Sequence, residues 1–146
     1  MKSSCSQPPS VLLVDDSRDG LLVRRTLLEE QGFDVQVAQC GEEGLKLFER
    51  RAFNVVIADY GMPDMTGVDL IGRIRMAKPG TPVVLISSRV DALGLTQEST
   101  GADAVIAKNS REAALLIRCV KRLSGRSPAR KPAASQRRAT VVRARA

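Results

Sequence analysis

"VVIADYGMPDMTG", residues 55–67, starts as a short run of apolar residues and then sets a carboxylate, Asp59, where the run stops. Apolar residues that follow one another without alternating with polar ones read as a strand covered on both faces, the condition of a parallel sheet. The same pattern recurs at residues 11–14 (VLLV), more weakly at 33–37 (FDVQV), and again at 83–86 (VVLI) and 104–107 (AVIA). Amphipathic stretches lie between these runs. Ser17 is predicted to cap a helix running to Glu30, with Gly32 just past its end. Leu45 and Phe48 share a face of a second helix, Leu70 and Ile74 a face of a third, and Ala113, Leu116, Val120 and Leu123 a face of the last. The segment 88–100 is the weakest helix, because Gly94 interrupts it and few residues define an apolar stripe. Five strands alternating with five helices predict an α/β, doubly wound domain.

Composition narrows the chemistry. The 146-residue chain has the length of one domain with a sizeable core. Its cysteines, Cys5, Cys40 and Cys119, are odd in number and lack the spacing of a zinc site, so they read as reduced thiols of a cytoplasmic protein. No apolar stretch near the N-terminus is long enough for a signal-peptide core or a membrane span. With no histidine in the chain, serine-histidine-acid triads, cysteine-histidine pairs and histidine-ligated metals are excluded. Carboxylates, hydroxyls and amines remain.

The net charge of +7 is unevenly spread. Residues 1–123 balance basic against acidic side chains, whereas residues 124–146 carry seven Lys/Arg and no acid. This divides the chain into a flexible segment 1–9, a folded domain 10–123, and a basic tail 124–146 whose composition predicts disorder. The tail has no aromatic for base stacking and no apolar helical face. Any binding of nucleic acid or anionic membrane through it is expected to be weak, non-specific and electrostatic.

In a parallel sheet all strands point the same way, so the residues that follow them meet on one rim, where open α/β sheets place their ligands. Asp15 and Asp16 follow the first run, Asp59 the third, Ser87 and Ser88 the fourth, and Lys108 the fifth. Three carboxylates repel one another and call for a cation. Hard oxygen donors few in number suit magnesium, which keeps several waters. A carboxylate beside that metal is a nucleophile for phosphorus, and a lysine with a hydroxyl can neutralise and hydrogen-bond phosphoryl oxygens.

"VLLVDDS", "VVIADYGMPDMTG", "PVVLISS" and "VIAKN" occur in the order and close to the spacing of the receiver domain of two-component response regulators, which residues 10–123 resemble. The resemblance implies a flavodoxin-like five-stranded parallel sheet in the order 2-1-3-4-5. It implies Asp59 as phosphoacceptor, Asp15 and Asp16 as magnesium ligands with the backbone carbonyl of Gly61, Ser87 as the switch hydroxyl and Lys108 as the conserved-type lysine. Met62, Pro63 and Gly67 match the loop after the acceptor. The implied donor is a phosphohistidine on a sensor histidine kinase or histidine phosphotransfer protein. The expected product is a cytoplasmic signalling phosphoprotein, not an enzyme in the ordinary sense, that binds a downstream protein when phosphorylated. The sequence departs from the family in three places. Asn109 stands where proline in a cis bond usually follows the lysine, and a non-proline cis bond costs about 3 kcal/mol. Val105 stands at the switch aromatic, which removes aromatic rotation as the output. Gly61 and Arg89 occupy the two variable positions associated with phosphoryl lifetime.

Taken singly, these residues have plainer explanations. Asp15 and Asp16 suit a helix start, Asp59 a turn, Ser87 and Ser88 a cap, and Lys108 a solvated charge. Jointly those explanations require separate strand ends to supply matching groups by coincidence. Three other functions compete with a stand-alone receiver: a phosphate-ester hydrolase acting through an aspartyl phosphate, a degenerate receiver serving as scaffold or homodimerisation module, and a polyanion-binding regulator acting through the tail. The hydrolase needs a substrate cap, and no insertion is long enough to form one.

Overall fold

Strands that must bury both faces need helices on both sides, and the computed structural model, which describes residues 7–125, meets that demand. The strands are β1 (Ser10–Val14), β2 (Asp34–Ala38), β3 (Val55–Asp59), β4 (Val83–Ser87) and β5 (Ala104–Ala107). All pair in parallel, in the order β2-β1-β3-β4-β5. The helices are α1 (Arg18–Glu30), α2 (Gly41–Arg50), α3 (Gly67–Ala77), α4 (Val90–Leu93), α5 (Gln97–Thr100) and α6 (Glu112–Ser124).

Side chains alternate across the sheet and build two cores. Val11, Leu13, Val55, Ile57, Val84 and Ile86 face Leu21 and Leu28 of α1 and Leu116, Val120 and Leu123 of α6. Leu12, Val14, Val56, Ala58, Val83 and Leu85 face Phe48 of α2 and Leu70, Ile71 and Ile74 of α3. Each central strand thus feeds both clusters, which is why its sequence is continuously apolar.

Helix α1 begins at Ser17, whose hydroxyl accepts the Gly20 N–H. It ends at Gln31, and the amides of Gly32 and Phe33 fold back onto Glu29 and Leu28 carbonyls. That turn uses Phe33, so β2 starts one residue later than the apolar pattern predicts. Strands β3 and β4 each run one residue further than predicted, taking in Asp59 and Ser87.

The single helix predicted over residues 88–100 is instead two short ones. Gly94 ends α4 in the left-handed region at φ 62°, where other residues rarely go, and Thr96 with Ser99 forms a new capping box for α5. Among the described residues, six helices stand where five were expected. Met62 and Met65 pack against the second cluster, and Cys40 and Cys119 are half-buried free thiols. Cys5, the segment before residue 7 and the basic tail beyond residue 125 lie outside the described residues. No helix among the described residues is long and apolar enough to cross a membrane.

Candidate functional site

The carboxyl ends of β1 and β3 lie side by side, and the rim groups meet there. Carboxylate oxygens of Asp15, Asp16 and Asp59 all lie within 4.8 Å of one another. Asp15 and Asp59 are buried, at 1% and 7% exposure, whereas Asp16 is open to solvent. Buried like charges at this distance require cations. Lys108 supplies one, with Nζ 2.6 Å from Asp59 Oδ1. Every peptide bond among the described residues is trans, so the lysine reaches the acid with Asn109 behind it and no cis bond. Asn109 instead folds the loop, its side-chain oxygen accepting the Arg111 N–H and its carbonyl the Glu112 N–H. Burial raises the pKa of Asp59; the hydrogen bond from Lys108 pulls it down, the charges of Asp15 and Asp16 push it up, and the net direction is upward.

Ser87 is buried at the end of β4, beside β3, and its hydroxyl oxygen accepts the Arg89 N–H at 2.9 Å. Its own proton stays available for donation. Gly61 is two residues beyond Asp59 in an exposed turn, closed by a bridge to Thr66. Gly67 lets α3 start against the end of β3. A Cβ there would stand 2.7 Å from the Asp59 carbonyl oxygen, 3.0 Å from Tyr60 Cα and 2.6 Å from Leu85 Cδ1. Its N–H bonds the Tyr60 carbonyl at 2.7 Å, while Thr66 and Asp69 complete a capping box. The loop after Asp59 and the start of α3 are therefore one packed unit.

The fit to a divalent cation can be judged from the donors alone. Three carboxylates, two of them buried, are hard oxygen ligands carrying more negative charge than Lys108 offsets, which suits magnesium.

Two further groups belong to this region and escaped sequence reasoning. Arg24 of α1 is 8% exposed, and its Nη1 lies 2.6 Å from Asp15 Oδ2. Its Nε lies 2.5 Å from Glu112 Oε2 on α6. Burial disfavours the guanidinium charge, but the hydrogen bond and charge of Glu112, with Asp15 and Asp59, outweigh it and raise the Arg24 pKa. The available signal was a charge at position 24 between the buried Leu21 and Leu28 on one face of α1. Asp64 was missed too. Its carboxylate accepts the Gly41 and Glu42 N–H groups and so caps α2 from the loop after β3, which holds its pKa below the usual range.

The family model described as "Response regulator receiver domain" matches residues 11–119. The chain is 35% identical over 120 residues to the transcriptional regulatory protein CpxR of Escherichia coli (strain K12), covering 78% of this chain and 50% of CpxR. It is 34% identical over 95 residues to GlrR of the same organism, covering 63% of this chain and 21% of GlrR. The match thus spans half of one regulator and about a fifth of the other. Among solved structures, the response regulator protein TrrA of Thermotoga maritima, in complex with Mg(2+)-BeF, superposes with a TM-score of 0.70 at 28% identity, covering 79% of this chain and 98% of TrrA. Fold, rim geometry and family match agree: this chain belongs to the response regulator receiver domain family.

Proposed function

We propose that Asp59 accepts a phosphoryl group from a phosphohistidine on a sensor histidine kinase or histidine phosphotransfer protein, and that the phosphorylated domain binds a downstream protein differently from the unmodified one. The observation that carries this reading is the convergence of Asp15, Asp16 and Asp59 on one rim with Lys108 already on Asp59. In the transfer, an Asp59 carboxylate oxygen bonds to phosphorus as the P–N bond of the phosphohistidine breaks, and the imidazole leaves with the electron pair. Asp15, Asp16, Asp59 and the Gly61 carbonyl would hold magnesium, which supplies positive charge for the transferring oxygens. Lys108 can exchange its carboxylate partner for a phosphoryl oxygen, and the free Ser87 proton can donate to another. TrrA, solved with Mg(2+)-BeF, lends support to the metal assignment.

This reading takes residues 10–123 as the receiver unit of a cytoplasmic protein. Its support is that all five strands and both apolar clusters are complete within those residues. With Val105 at the fifth strand only partly buried and not aromatic, output runs through another feature of the α4–β5–α6 face.

Incubation of the protein with magnesium and acetyl phosphate tests the reading. Intact-mass spectra should show one acid-stable, base-labile phosphoryl group, lost in Asp59→Asn and after chelation. Absence of an adduct under conditions that label an ordinary receiver would favour the scaffold or dimerisation reading instead.

A further inference from the structure

Arg24 stands where the acidic rim meets α6, and it is held from both sides. One edge of its guanidinium bonds Asp15, which is 1% exposed, and the other bonds Glu112, the first residue of α6. Space for it comes from Gly20, one turn earlier in α1, where a Cβ would fall 2.6 Å from Arg24 Nη1 and 3.0 Å from Asp15 Oδ2. Glu112 is fixed in turn by its N–H on the Asn109 carbonyl, in the loop that opens with Lys108. A buried fork-shaped cation bridging two carboxylates on different elements is rigid and directional.

We propose that Arg24 is a resident counter-ion of the acidic rim, competing with a divalent cation for Asp15 and, through Glu112, transmitting occupancy of the rim to the first turn of α6. This rests on the reading of the rim as a magnesium site. Bound cation at Asp15 draws the carboxylate from Arg24 and repels the guanidinium, which then leans on Glu112 alone. The rim and α6 share one charged link, so a change at one end is felt at the other. Arg24 is thus a positioning residue, since it reaches the reacting atoms only through Asp15.

The two ends of the link should act with opposite sign. Removing the charge in Arg24→Leu frees Asp15 and should tighten magnesium binding about tenfold, the scale of one charge-assisted hydrogen bond lost to competition. Removing the opposing carboxylate in Glu112→Gln leaves Arg24 wholly on Asp15 and should weaken binding by a few-fold. Arg24→Lys keeps the charge but cannot fork, so its affinity should stay near that of the wild type while the response of α6 is lost.

Magnesium affinity by isothermal titration calorimetry, and amide NMR shifts of residues 112–114 on adding magnesium, read both effects without phosphorylation. Circular dichroism checks that each variant is folded, and if Arg24→Leu is not, Glu112→Gln and Arg24→Lys still decide. The inference is overturned if Arg24→Leu binds magnesium no more tightly than the wild type, if Arg24→Leu and Glu112→Gln shift in the same direction, or if Arg24→Lys keeps the α6 response. Wild-type binding with unchanged variants sinks this inference alone. No binding in any of the proteins sinks the magnesium reading and this inference with it, whereas binding only in Arg24→Leu supports the competition directly.

Discussion

Two glycines of α3 should respond to the same substitution with opposite sign. Gly67 is buried at the first position of the helix and Gly72 is exposed in its middle. In Gly67→Ala the new methyl lies 2.7 Å from the Asp59 carbonyl oxygen and 3.0 Å from Tyr60 Cα, both backbone atoms that cannot rotate away, and 2.6 Å from Leu85 Cδ1 in the core. The overlap with the carbonyl is about 0.5 Å against an ordinary carbon–oxygen contact, so either α3 lifts or the end of β3 bends. Overpacking of this kind costs about 2–3 kcal/mol. At a urea dependence of ~1.5 kcal/mol/M this lowers the unfolding midpoint by about 1–2 M. In Gly72→Ala the methyl meets no atom within 4 Å. Better helix propensity and a less flexible unfolded chain then stabilise the protein by about 0.5–1 kcal/mol. Urea titrations of the two variants, followed by circular dichroism, measure both shifts. Gly67→Ala should also slow labelling by acetyl phosphate, since the displaced backbone carries Asp59, while Gly72→Ala should not. Equal midpoints for the two variants, or a Gly67→Ala protein as stable as the wild type, would refute the claim that α3 is seated directly on the end of β3.

Asp59 has a raised pKa in the folded protein, so its favourable contribution is complete below the ordinary aspartate value and is lost as pH rises through the elevated one. With metal chelated, Asp59→Asn should therefore match the wild type in acid and exceed it at neutral pH, the gap opening across that window in thermal unfolding; a gap that closes toward neutrality contradicts the assignment. Asp103 accepts the Val83 N–H at 2.8 Å and Arg75 Nη2 at 2.9 Å; in Asp103→Ala the arginine keeps the Gly101 carbonyl at 2.9 Å but the buried Val83 N–H loses its partner, which should cost about 1–3 kcal/mol in urea titrations. Should the basic tail bind polyanions, the full chain will hold duplex DNA with log affinity falling against log salt at a slope of about −5 to −6, and a chain ending at Leu123 will lose that binding; affinity that survives the shortening places it elsewhere.

The alternation of strands and helices was legible in the sequence because burial on both faces leaves a continuous apolar signature that no other common element combines with flanking turn residues. The rim acids, Ser87 and Lys108 were legible for a related reason. In a parallel sheet the residues that end or follow a strand have their place on the rim set by their position in sequence, so groups 93 residues apart, Asp15 and Lys108, could be assigned to one edge from the sequence.

The break of residues 88–100 into two helices was half visible. Gly94 warned of it, but the restart at Thr96 depended on the chain turning after Gly94 so that the Thr96 and Ser99 hydroxyls each accept the other's backbone N–H. The aim of Lys108 and the ties of Arg24 and Asp64 were decided by tertiary structure alone. Each depends on distance between elements distant in sequence: Lys108 just past β5 with Asp59 at the end of β3, Arg24 on α1 with Glu112 on α6, Asp64 in a loop with the start of α2. A charged residue on an apolar helix face looks like a flaw in the sequence pattern. Only the packed structure supplies the buried carboxylates that make the charge stable there, because the energy of an ion depends on its surroundings and not on its neighbours along the chain.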